Sequence, residues 1–142
     1  MTSKLKNLAH YVYDSIEGYR HAQTRADDPA MSRAFARRVE EREATLNRIN
    51  TALAGMGESR VESGSTLGTL HDVWGAVTTS LTSGDKSVTK RIDEGESFLL
   101  RQFEETLQDD TLRAEERAAI TAAHGEIARS ERFADQLERS TY

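Results

Sequence analysis

No cysteine occurs in this chain, which excludes disulfides, thiolate metal sites and thiol nucleophiles. There is a single proline, Pro29, so little interrupts a long helix. Aromatic residues make up only 6%, with one Trp, four Tyr and four Phe, which leaves few strand formers. No apolar run is long enough to cross a bilayer. The start, Met1-Thr2-Ser3-Lys4-Leu5-Lys6-Asn7, leads into polar residues and has no apolar signal segment. Positive charge is not in excess either: 19 Lys and Arg stand against 24 Asp and Glu, for a net charge of −5. Arg37, Arg38 and Arg42 are interleaved with Glu40, Glu41 and Glu43, so no basic stripe forms. Together these absences predict a cytoplasmic protein with neither nucleic acid nor membrane as a partner.

What is present is amphipathic helix over the whole length, as a single domain of residues 1–142. A first helix is expected over about residues 3–24, with Leu5, Leu8, Val12, Ile16 and Tyr19 on one stripe. Asp28-Pro29 reads as an N-cap followed by proline at the first helical position. The helix it opens carries Met31, Phe35, Val39, Arg42, Leu46, Ile49 and Leu53, all apolar but Arg42. Residues 55–64 read as a loop by their glycine and serine. Ser65 then caps a shorter helix with Leu67, Leu70, Trp74, Val77 and Leu81 on one face, ended by Ser83-Gly84. Asp85 caps a third long helix that buries Val88, Ile92, Leu99 and Phe103. Asp109-Asp110-Thr111 is a turn, and a fourth long helix follows with Leu112, Ala119, Ala123, Ile127, Ala134 and Leu137 along one side.

Short turns make antiparallel hairpins of the first and second long helices, and of the third and fourth. Between the second and third lie about 30 residues, enough at about 1.5 Å per helical residue to return along the bundle. The second and third helices are therefore expected to be parallel. The fold class is all-α: a ferritin-like four-helix bundle with an additional short crossover helix between the second and third long helices. One signature of that architecture is missing. The histidines are His10, His21, His71 and His124, and the residues three before them are Asn7, Gly18, Gly68 and Thr121. A di-iron bundle needs Glu three residues before His on two of its helices.

Several segments carry a resemblance: Asp14-x-x-x-Gly18-Tyr19, Gly64-Ser65-x-x-Gly68-x-x-His71-x-x-Trp74, Gly84-Asp85, Asp93-Glu94-Gly95-Glu96 and His124-x-x-Ile127. They resemble a bacterial family of four-helix-bundle domains of unknown function, grouped with the ferritin-like proteins. The likeness covers almost the whole chain, and its most specific part is the segment ending in Trp74. It implies the fold and a bacterial origin, and it transfers no catalytic residue. The chain departs from the family at Asp72, where a basic residue often follows the histidine, and at Phe103, where tyrosine is common.

Arg42 stands out, because a buried guanidinium without partners is very costly. Glu96 and Glu126 fall near the middle of the third and fourth helices, about 50° and about 60° from their core centres on a helical wheel. We therefore expect Arg42, Glu96 and Glu126 to form a structural polar layer at the level where such a bundle would hold metal. The competing arrangement has Arg42 extended to the bundle edge. Glu43, Glu96, Glu126 and His124 are the residues that could hold iron, manganese or zinc, although Glu43 and His124 lie about 80–100° off their stripes. Asp14 and Glu17 are expected to face outward. No metal or other cofactor is expected. His71 and Trp74 are candidates for an interaction with an unknown protein partner or a second copy of the chain. Gly18, inside a helix, points to close helix packing, and Tyr11, Tyr13 and Tyr19 read as amphipathic edge residues. No phosphate loop and no catalytic triad is present. The sequence favours a non-enzymatic, stress-related or interaction role over an enzymatic one.

Overall fold

The computed structural model describes residues 3–64, Trp74 and residues 85–140. Among them are four helices and no strand: α1 (Lys4–Arg25), α2 (Pro29–Gly55), α3 (Asp85–Leu107) and α4 (Ala114–Ser140). Most of the shorter helix expected over 65–83 lies outside the described residues, as do His71 and its neighbours Leu67, Leu70, Val77 and Leu81.

The helix ends follow from local chemistry. Ser3 caps α1, its Oγ accepting from the Lys6 amide at 3.1 Å. Proline disfavours helical backbone in the residue before it. Asp28 is accordingly extended at φ −81°, ψ 121°, and its carboxylate accepts from the Ala30 amide at 2.9 Å to open α2. At the far end Gly57 takes φ 78°, a left-handed conformation that glycine adopts without strain. The Glu58 amide can then donate to Leu53 O at 2.9 Å and the Gly57 amide to Ala54 O at 3.1 Å, the Schellman pattern that satisfies the last carbonyls. The chain beyond is held by a side chain acting as backbone. Buried Asn50 donates to Val61 O at 3.2 Å and accepts from Val61 N at 2.8 Å.

α1 packs on α2 and α3, and α4 packs on α3 and α2, while the α2 and α3 backbones do not meet. Cross-helix bonds fix the directions. Leu5 N reaches Glu116, and Tyr19 reaches Ser130, so α1 and α4 run parallel across one diagonal. Thr45 meets Glu126 while Arg38 lies over Phe133, so α2 runs against α4. Ser97 meets Glu131 and His124 meets Glu104, so α3 does too. Hence α2 and α3 are parallel on the other diagonal, and the end of α2 and the start of α3 lie at opposite ends of the bundle.

The core takes the expected α1 stripe whole, with Leu5, Leu8, Val12, Ile16 and Tyr19 all buried. Met31, Phe35, Leu46, Ile49 and Leu53 come from α2; Val88, Ile92, Leu99 and Phe103 from α3; Ile120, Ala123, Ile127 and Ala134 from α4. Val39, Ala119 and Leu137 sit at the rim instead. Asp14 requires a correction: it is 8% exposed, turned inward against Gly64, not outward.

Candidate functional site

The guanidinium of Arg42 leaves α2 at mid-helix and crosses the diagonal of the bundle, 1% exposed. A guanidinium has five N–H donors in a fixed plane, and all five are used. Nε donates to Glu126 Oε1 at 2.7 Å. Nη1 donates to Ser15 Oγ at 2.7 Å and to Glu96 Oε1 at 2.9 Å. Nη2 donates to Glu96 Oε2 at 2.7 Å and to Glu126 Oε2 at 3.3 Å. Both carboxylates thus grip the cation in the two-point manner that suits its planar fork. Glu96 is 0% exposed and Glu126 4%.

Small polar residues complete the layer. The Thr45 hydroxyl donates to Glu126 at 2.9 Å, and the Ser15 hydroxyl donates to Val12 O at 2.6 Å. The Tyr19 hydroxyl meets Ser130 Oγ at 3.2 Å, and its ring centre lies 5.8 Å from Arg42 Cζ. All four helices contribute. Tyr19 is therefore no edge residue; it is fully buried at the centre of the bundle.

The electrostatics follow from burial and pairing. Burial works against the charged guanidinium, but the Glu96 and Glu126 carboxylates outweigh it and hold Arg42 above its ordinary value. Burial likewise pushes Glu126 up, and Arg42 more than reverses this, leaving its carboxyl below the usual range. The Tyr19 phenol is raised well above its ordinary value, by burial first and by the Glu96 carboxylate second. Its proton stays on at any physiological pH.

The four residues considered for metal are not brought together. Glu43 lies at the surface, taken by Arg20 at 2.5 Å, and His124 faces Glu104 at 3.1 Å. Glu96 and Glu126 turn every carboxylate oxygen toward the guanidinium. No group of three or more His, Asp or Glu suited to a metal ion occurs among the described residues. Two carboxylates whose oxygens all accept from one guanidinium do not fit a divalent metal.

Trp74, a candidate for an interaction, is 1% exposed. It packs 5.7 Å, centre to centre, from the Tyr19 ring. Gly18 makes room for that indole, where we expected close packing between helices: a Cβ there would overlap Trp74 Cε3. Gly95 on α3 does the same from the other side, where a Cβ would lie 2.7 Å from Trp74 Cε2. Sequence reasoning missed Glu116, which is 5% exposed. It accepts from the Arg113 amide at 3.3 Å, as the third residue of a capped helix does, and from Leu5 N of α1 at 3.1 Å.

The chain belongs to the family described as a domain of unknown function (DUF2383), whose model matches residues 1–109. No curated protein and no solved structure matches it.

Proposed function

We propose that this protein is a non-enzymatic, ferritin-like bundle with a helical crossover, working in the cytoplasm of a bacterium by binding a protein partner or further copies of itself, in a stress-related role. The observation that carries the reading is Arg42. Its guanidinium occupies the middle of the four helices and uses all five donors on Glu96, Glu126 and Ser15. A metal-dependent oxidase keeps open coordination positions at that level. Here the carboxylates hold a side chain of the chain itself. The chemistry the layer supports is structural: fixing which faces of four amphipathic helices meet.

The test is metal content of protein purified without a histidine tag. We expect iron, manganese and zinc well below one per chain, unchanged in Glu96→Ala. One equivalent of any of them, lost in Glu96→Ala, would replace this reading with that of a divergent metal-binding or oxidase-type bundle. Light scattering over a concentration series tests self-association, with a mass above 15.9 kDa expected if copies of the chain are the partner.

A further inference from the structure

We propose that the groove between α1 and α3 at Gly18 and Gly95 is a binding site for a flat bicyclic aromatic ring, with Trp74 as its resident occupant. Three observations meet there. Two glycines on different helices face the same indole, and a side chain on either would overlap it. Glycine inside a helix costs stability relative to alanine, so two of them opposite one ring mark a shaped receptor. The ring is 1% exposed and lies against the tilted Tyr19 ring. Finally, Trp74 Nε1–H is buried and has no hydrogen-bond partner among the described residues.

That last point sets the chemistry of the ligand. Buried indoles usually pair their N–H, and leaving it unpaired carries a penalty. The groove therefore selects by shape and apolar contact, with no acceptor among the described residues aimed at the nitrogen. Its walls belong to α1 and α3, which are tied together independently through Ser15, Arg42 and Glu96. Deleting the indole should leave an apolar hollow between fixed walls, and such hollows stay dry and take up small aromatic molecules. The site is then separable from the residue that fills it.

The experiment uses the full chain with Trp74→Ala, probed with indole and with benzothiophene, which keeps the bicyclic shape and drops the N–H. Both ligands should raise the melting temperature of the variant and not of the parent. Benzothiophene should bind about tenfold more tightly, the equivalent of one unpaired donor removed. Adding Gly18→Ala to the variant should abolish the response. Because Trp74 is the only tryptophan, its emission gives a second measurement in the otherwise unaltered chain. Gly18→Ala should shift that emission to the red while the helical signal persists. If Trp74→Ala does not fold alone, recovery of helix on adding benzothiophene is the same positive result. No recovery or thermal response, tighter binding of indole, an equal response in the parent, or an unshifted emission in Gly18→Ala would each overturn the proposal.

Discussion

Removing one member of the Arg42 layer should cost more than removing all of its charges. Glu96→Ala leaves a fully buried guanidinium with a single carboxylate, and Arg42→Leu leaves two buried carboxylates with no guanidinium between them. Breaking a buried pair typically costs about 3–5 kcal/mol. The combined Arg42→Leu, Glu96→Leu, Glu126→Leu chain should recover most of that loss, since well-packed apolar residues often replace buried ions at no net cost. Urea midpoints at equal slope decide it; single changes below about 1 kcal/mol would mean the layer is wetter than its geometry implies. Because the Glu126 carboxyl is held below its ordinary value, its share is present at neutral pH. That share is lost as pH falls from the ordinary carboxylate range through the folded value. Arg42 was readable in the sequence because one charge interrupts an apolar row. Ser15, Thr45 and Ser130 were not, although each is at most 1% exposed. A small hydroxyl residue looks the same in a sequence whether it faces water or a buried carboxylate.

Between helices, the α3–α4 seam carries a different balance of charge. Asp93 on α3 lies beside Glu138, with Asp135 and Glu131 further along the same face of α4. Burial, and then the hydrogen bond and charge of Glu138, raise Asp93 to about 7. An acid whose folded value lies above its unfolded one near 3.9 binds its proton more tightly in the folded state. Its stabilisation is full below about pH 4 and is lost as pH rises through about 7. Asp93→Asn should therefore melt higher than the parent at pH 8, with little difference at pH 4.5. Thermal melts at the two pH values check it, and equal differences at both would show that the proton is not held there. The helices themselves were legible where large apolar residues recur, as on α1. On α4 the stripe is thinned by alanine, so contrast between faces is weak. The spacing puts Leu137 and Ala119 inward, whereas they lie at the rim, and it leaves out the buried Ile120.

For the molecule as a whole, topology was readable from connection lengths alone, because two short turns and one long link leave few ways to close four helices. The Trp74 socket was not readable, since it depends on two glycines 77 residues apart meeting a ring from a third segment. The same dependence on distant segments bears on the match to the family, which covers residues 1–109 and so ends before α4 begins at Ala114. That last helix supplies Glu126 and Ser130 to the central layer, and Glu116 to the start of α1. It also brings Ile120, Ala123, Ile127 and Ala134 into the core, where they cover α2 and α3. A chain cut after Asp109 would keep Arg42 and Glu96, but it would expose apolar faces on both remaining neighbours. It would also strip the cation of one of its two carboxylates. The truncated chain should retain partial helix by circular dichroism and lose its cooperative thermal transition, with amide exchange rapid even around Ile49 and Leu99. A sharp transition near the parent's midpoint would show instead that residues 1–109 fold on their own, with α4 an appended cover.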